Sequence, residues 1–81
     1  MIVAGLVIET LPGSAPRVAA RLARIEELAV HGGDGDRRIA AVWSAADGES
    51  LDGMAGDLLR GDAEIVGVFP TFVGDDREAA G

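Results

Sequence analysis

The spacing of apolar and polar positions changes several times along the chain and predicts six elements. Residues 2–10 are almost continuously apolar, as in the stretch VAGLVIE at residues 3–9, and predict a first strand. From Ala15 to about Glu27 the apolar positions recur every three or four residues opposite a stripe of arginines, which predicts an amphipathic helix. Ser14 stands where its side chain could cap that helix, and Pro16 is tolerated in the first helical turn.

A β-hairpin is predicted next. Residues 28–31 form a short apolar strand, and residues 37–45 form a longer strand that is rich in Ile, Val and Trp. The link between them, residues 32–36, is rich in glycine and aspartate, which are typical of a tight hairpin turn.

A second helix and a last strand complete the pattern. Residues 47–50 offer helix-capping groups, and Gly61 suits a C-terminal cap. The apolar positions of the helix are Leu51, Met54, Ala55, Leu58 and Leu59, and two internal glycines weaken it. The last strand covers residues 63–73, and Pro70 within it predicts a sheet edge or a bulge because proline cannot donate to a ladder.

The element order β-α-β-β-α-β predicts an α+β fold. With right-handed crossovers it gives a four-stranded antiparallel sheet with both helices on one face, which is the ferredoxin-like arrangement. We expect a single domain over residues 1–73, followed by a flexible acidic tail at residues 74–81. A chain of 81 residues has no room for a deep cleft between domains.

Both sides of the predicted sheet are apolar, although two helices cover only one side. We assign to the helix side Leu6, Ile8, Ile39, Ala41 and Trp43. With this assignment Glu9 and Ser44 fall on the uncovered side. In the last strand, alternation places Phe69 and Phe72 on opposite sides, and it does not decide which of the two sides faces the helices. An apolar patch of several hundred Å² usually marks an interaction site. Either a homodimer or a bound peptide would cover this one.

The predicted docking surface for such a partner combines one carboxylate with small and aliphatic side chains. Its residues are Val3, Val7, Glu9, Ala40, Val42, Val66 and Val68.

Charge narrows the class of partner. The chain carries 14 acidic residues against 7 arginines and no lysine, for a net charge of −7. Such a surface repels nucleic-acid phosphates and anionic lipid and favours basic partners. The absence of cysteine excludes disulfides and thiolate metal sites, and no apolar run is long enough to span a membrane. We therefore expect a soluble, cytoplasmic protein.

No residue pattern predicts an enzyme, a cofactor or a metal. His31 is the single histidine and has no cysteine or suitably spaced carboxylate to share a metal with. The glycine-rich link at residues 32–36 lacks the lysine of a phosphate loop, and Asp34 and Asp36 lack the remaining ligands of a calcium loop. We expect a protein without catalytic residues.

Several stretches resemble the NapD family. The first half carries Ala4-Gly-Leu-Val-Ile8, then a helix ending in Leu22-Ala-Arg-Ile25, and then Val30-His31 before a Gly-Asp turn. The second half carries Ile39-Ala-Ala-Val42, an acidic link, Ile65-Val-Gly-Val68 and a short acidic tail. The likeness covers residues 2–73. The chain departs from the family at Glu26-Glu27, where Pro-Gly is usual, and at Phe72-Val73, where an aromatic-histidine pair is common.

The resemblance implies a fold, a function and a partner. NapD proteins are small cytoplasmic chaperones with the ferredoxin-like fold. They bind the twin-arginine signal peptide of the catalytic subunit of periplasmic nitrate reductase and hold back its export until the molybdenum cofactor is loaded. The alternative is a small dimeric regulatory domain of the amino-acid-binding ferredoxin-like type, which holds a small ligand between subunits.

Overall fold

Four strands and two helices make up the fold. The computed structural model describes residues 2–45 and 50–75. The elements are β1 (Ile2–Thr10), α1 (Ala15–Leu22), β2 (Leu28–Gly33), β3 (Arg38–Ala45), α2 (Leu51–Gly61) and β4 (Ile65–Asp75). The strands form one antiparallel sheet in the order β2-β3-β1-β4, and the predicted ferredoxin-like fold is confirmed.

The core lies between the sheet and the two helices. The sheet contributes the residues assigned to its helix side from sequence, and α1 adds Ala15, Val18 and Leu22. From α2, Leu51, Met54 and Leu58 pack against the same cluster, but no residue of α2 is fully buried. Both helices therefore cover the same face of the sheet, and α2 covers it less closely than α1 does.

The first helix ends earlier than the prediction of about Glu27. Its last residue is Leu22, and the chain then continues through tight turns in which the N–H of Ile25 donates to the carbonyl of Leu22 and the N–H of Leu28 donates to that of Ile25. These i→i+3 bonds are of the 3₁₀ type. Ile25 keeps its contact with the core, so its helical spacing in the sequence reflects burial and not a continuing helix.

The helix caps differ in part from the prediction. Ser50 caps α2 as expected, because its hydroxyl oxygen accepts from the N–H of Gly53 at 2.9 Å. Residues 47–49, also predicted to cap, lie outside the described ranges. Ser14 makes no side-chain cap and donates its hydroxyl to Glu64 at 2.7 Å instead. Gly61 is the last residue of α2, and Asp62 takes the capping position.

The strands after the helices also extend beyond their predicted ends. The hairpin strand β2 continues to Gly33, with a register shift at His31 that accommodates the glycines predicted as turn. At the other edge of the sheet, Gly74 and Asp75 from the predicted tail belong to β4. The rest of the predicted tail, residues 76–81, lies outside the described residues.

An ionic cluster joins α1 to the start of β4. The guanidinium of Arg17 donates to Glu64 at 2.8 Å, and that of Arg21 donates to Glu64 at 2.8 Å and to Asp62 at 2.9 and 3.0 Å. The sequence placed these arginines together on the polar side of the helix but did not reveal their partners. The cluster arises because the chain returns to α1 more than 40 residues later, which spacing along one helix does not reveal.

Acid should weaken this cluster, and Glu64→Gln should reduce the effect. The pKa of Glu64 is lowered from 4.5 to about 2, chiefly because Arg17 donates to its carboxylate, followed by Ser14 and Arg21. A carboxyl group with a depressed folded-state pKa stabilises the fold above its unfolded pKa, and this contribution is lost as the pH falls from 4.5 to about 2.

We therefore expect the free energy of unfolding of the wild type to fall more steeply than that of Glu64→Gln through this pH window. Urea titrations followed by Trp43 fluorescence measure both, and Glu26→Gln, at an exposed position, is the matched control. An equally steep fall in Glu64→Gln would show that the carboxylate of Glu64 is not the group responsible.

The hairpin loop between β2 and β3 is held by a single carboxylate. Asp34 accepts from the backbone N–H groups of Asp36, Arg37 and Arg38 at 2.9 to 3.0 Å, and these bonds lower the pKa of Asp34. The carboxylate of Asp36 in turn accepts from the N–H of Gly13 at 2.6 Å, which ties this loop to the loop between β1 and α1. The aspartates therefore have a structural role in the turn.

Candidate functional site: the open face of the sheet

The side of the sheet turned away from both helices is called here the open face. Cross-strand pairing assigns to it Val3, Gly5, Val7 and Glu9 of β1, Arg38, Ala40, Val42 and Ser44 of β3, Ala29 of β2, and Gly67, Phe69 and Phe72 of β4. Most of these side chains are apolar. The open face is therefore the apolar surface that the sequence pattern predicted.

The predicted docking residues of the two central strands share this surface. Val3, Val7 and Glu9 point outward from β1, and the partners of Gly5 and Val7 on β3 are Val42 and Ala40. Ala40 is exposed and the other four are half-buried. The structure therefore brings these five side chains together on one side of the sheet, in adjacent strands.

The two docking residues predicted on β4 lie elsewhere. Val68 is paired with Ile8 and packs against the core, so its assignment to the uncovered side is wrong. Val66 is 56% exposed, but it lies at a register shift between the partners of Glu9 and Thr10 and is not part of the regular alternation. The error arises because the pairing of β4 has two register shifts, and the strict alternation of sides assumed from sequence does not continue through them.

Two phenylalanines take the place of these valines. Phe72 pairs with Gly5 and Phe69 pairs with Val7, and between these pairs Thr71 is the extra residue of a bulge. The expectation that Phe69 and Phe72 lie on opposite sides is therefore wrong, because the bulge returns Phe72 to the side of Phe69. Pro70 was the available signal, since it predicted an edge or a bulge at this position.

Each phenyl ring lies over a glycine. A β-carbon built on Gly67 would stand 2.5 Å from Cε2 and 2.7 Å from Cζ of Phe69, and one built on Gly5 would collide with the ring of Phe72. Both glycines are buried, while Phe69 and Phe72 are 51% and 55% exposed. One face of each ring therefore lies against the backbone and the other faces solvent.

A shallow cavity of about 250 Å³ lies beside Phe72 on the open face. Its lining includes Gly5, Val7, His31, Ala40, Val42, Thr71 and Phe72. The cavity places three of the predicted docking residues next to an aromatic ring that was assigned to neither side from sequence. It is large enough for one apolar side chain of a ligand.

The charged groups of the open face lie at one end of β1. The Oε1 atom of Glu9 stands 3.8 Å from Nε of its cross-strand partner Arg38. Within residues 2–45 and 50–75, no hydrogen bond reaches the carboxylate of Glu9, whose side chain is 33% exposed. The carboxylate of Glu9 is thus partly shielded from water beside an apolar surface, and the guanidinium of Arg38 is its neighbouring cation.

The described ranges contain no group of three or more side chains able to hold a metal ion. In the same ranges, no helix has the length and apolar character needed to cross a membrane. His31 is exposed at the margin of the open-face cavity.

Comparison of the chain with protein-family models, with curated proteins and with solved structures gives no match.

Larger cavities lie on the helix side. One of about 380 Å³ and one of about 350 Å³ meet at Ile25, Asp57 and Leu58, where α2 packs loosely against the sheet. The charged groups lining them are largely engaged, because Asp57 contacts Arg60 at 2.5 Å and Arg21 holds Asp62. These cavities reflect incomplete cover by α2, which sequence reasoning did not anticipate beyond its weakness as a helix.

Proposed function

We propose that this protein is a non-enzymatic binding chaperone whose open face receives a basic, amphipathic signal peptide. The resemblance to NapD suggests which one: the twin-arginine signal peptide of the catalytic subunit of a periplasmic nitrate reductase. In this proposal the protein acts in the cytoplasm, where it delays export and assists cofactor loading. The observation that carries the proposal is the pair of half-exposed rings, Phe69 and Phe72, on a sheet face whose other side chains are mostly small or aliphatic.

Burial of this surface supplies the driving force. A phenylalanine that goes from half-exposed to covered removes a large apolar area from water, which is favourable by about 25 cal/mol per Å² before the cost of association is subtracted. Aromatic side chains, phenylalanine included, are also enriched in the buried parts of protein interfaces. Val7 and Val42, half-buried in the adjacent strands, extend the same surface.

Charge favours a basic ligand. The net charge of −7 attracts a peptide with an arginine pair from a distance, so association should be faster at low salt. Glu9 offers a carboxylate at the margin of the apolar surface, where an arginine can form a charge-assisted hydrogen bond. A signal peptide with arginines followed by an apolar segment matches both features.

The edge strand β4 favours binding across the face over addition of a fifth strand. Pro70 lacks an N–H, and two register shifts interrupt the pairing of β4 with β1. Prolines and bulges at a sheet edge both disfavour pairing with another chain. The ligand is therefore expected to lie on the rings of Phe69 and Phe72, as an amphipathic helix does in a groove.

The same surface supports a second candidate function, a dimeric regulatory domain in which two open faces meet. Phe69 and Phe72 of one subunit would then pack against the same two residues of the other subunit across a two-fold axis. Sedimentation at micromolar concentration distinguishes the two functions. A monomer of the 8.3 kDa chain that forms a 1:1 complex with peptide supports the chaperone, and an obligate dimer without peptide supports the second candidate.

Calorimetry with a synthetic twin-arginine signal peptide from the nitrate reductase of the same host tests the proposal. We expect binding that weakens with salt and that falls by about a hundredfold or more in Val42→Glu, because the peptide would bury an unpaired charge. Ala20→Glu adds the same charge at an exposed position of α1 and should bind as the wild type does.

Cooperative thermal unfolding of Val42→Glu would show that lost binding is not lost folding. The proposal fails if the wild type gives no heat and no competition at any salt concentration, or if Ala20→Glu loses binding to the same extent as Val42→Glu.

A further inference from the structure

One carboxylate and one aromatic ring on the open face are neighbours across two strands. Gly67 is the cross-strand partner of Glu9, and the ring of Phe69 occupies the position that a side chain of Gly67 would take. Directly opposed β-carbons in an antiparallel pair lie about 4.5–5.5 Å apart. The ring of Phe69, which fills the place of a Gly67 β-carbon, therefore lies on the β4 side of Glu9.

Among the described residues, the carboxylate of Glu9 has a cation on its β3 side and no hydrogen-bond donor on its β4 side. Arg38 is 3.8 Å away on the β3 side, at a distance too long for a hydrogen bond, and its own side chain is 61% exposed. On the β4 side, the neighbour of Glu9 is the glycine beneath the ring of Phe69. Within residues 2–45 and 50–75, a donor on the outer face of this ring can thus reach the carboxylate without displacing a hydrogen bond.

We propose that Glu9, Gly67 and Phe69 form a subsite for a guanidinium group, in which the plane of the guanidinium stacks on the outer face of the Phe69 ring and its N–H groups donate to Glu9. The assignment of this guanidinium to an arginine of the signal peptide rests on the proposed function. The subsite selects arginine over lysine. A planar guanidinium can stack on the ring and donate two hydrogen bonds side by side to the carboxylate, whereas an ammonium can do neither. Gly67 is part of the subsite because any side chain there would lift the ring.

Phe72 is not equivalent to Phe69. Its ring lies over Gly5, whose partner on β3 is Val42, and its surroundings include Val7 and Ala40. None of the described residues that line this cavity carries a carboxylate. Phe72 therefore serves the apolar segment of the ligand. Glu9 lies four positions after Gly5 on β1, or about 13 Å at 3.3 Å per residue, which sets the direction of the peptide across the sheet.

A small probe tests the subsite without depending on the peptide. N-acetyl-arginine amide at millimolar concentration should shift the NMR signals of Glu9, Gly67 and the Phe69 ring, and N-acetyl-lysine amide should shift them much less. Phe69→Leu should abolish the response to the arginine probe, while Phe72→Leu, the same change on the neighbouring ring, should preserve it. Equal responses to both probes, or a response that survives in Phe69→Leu, would overturn the subsite.

The signal peptide then connects the subsite to function. The wild type should bind the arginine-pair peptide about three- to tenfold more tightly than its lysine-pair counterpart. This preference should vanish in Phe69→Leu. In Phe72→Leu both peptides should bind more weakly and the preference should remain. Tight peptide binding without a preference for arginine overturns the subsite and leaves the proposed function intact. If the arginine probe binds but the signal peptide does not, the subsite is supported and the proposed function is refuted.

Discussion

Replacing Ile8 by alanine should lower the free energy of unfolding by about 2–5 kcal/mol, whereas replacing its neighbour Val7 should lower it by about 1 kcal/mol or less. Ile8 is fully buried on the helix side of β1, and Val7 is half-buried on the open face. Deleting buried methyl groups removes transfer free energy and leaves a cavity, and a side chain that faces solvent incurs neither cost in full.

Urea unfolding followed by Trp43 fluorescence measures both variants. A domain of 81 residues has a stability of about 4–12 kcal/mol, so the change at Ile8 removes a large part of it. Val7→Ala should instead weaken binding of the peptide, since it removes apolar contact area from the open face. Equal destabilisation by the two variants would contradict the assignment of the two faces.

Gly33→Ala should destabilise the protein by about 1–3 kcal/mol. A β-carbon at residue 33 would collide with the carbonyl oxygen of Arg38 in the facing strand, and a backbone atom cannot move aside as a flexible side chain can. The hairpin would have to open at its end, where the N–H of Asp34 donates to the same carbonyl at 3.2 Å.

Gly61→Ala is the matched control for this substitution. Among the described residues outside its own turn of the helix, no atom lies within 4 Å of a β-carbon at residue 61, and the residue is helical, so alanine there should stabilise α2 by up to about 1 kcal/mol. Denaturant midpoints of the two variants should therefore move in opposite directions from that of the wild type. A midpoint for Gly33→Ala equal to that of the wild type would refute the proposed collision.

Local patterns were sufficient for the elements and for the two sides of the central strands. Alternation along β1 and β3 separates Ile8 from Val7 and Trp43 from Val42, and burial follows this separation. The element order then led to the fold, because few arrangements accommodate right-handed crossovers between these strands.

Features that depend on distant parts of the chain were missed. The position of Phe72 depends on a bulge whose partner lies in β1, and alternation within β4 alone gives the opposite side. The ion pairs of Arg21 with Asp62 and Glu64 likewise join residues more than 40 positions apart. The subsite proposed at Glu9 and Phe69 combines both difficulties, since it requires the register of two strands and the direction in which a ring leans.

Gly5 and Gly67 keep the open face low, because the space where their side chains would stand is filled by the rings of Phe72 and Phe69. A single methyl group at either position would displace its ring and turn this part of the open face into a ridge. The contour of the open face is thus adjustable one carbon at a time, from the side of the sheet that the hydrophobic core does not touch.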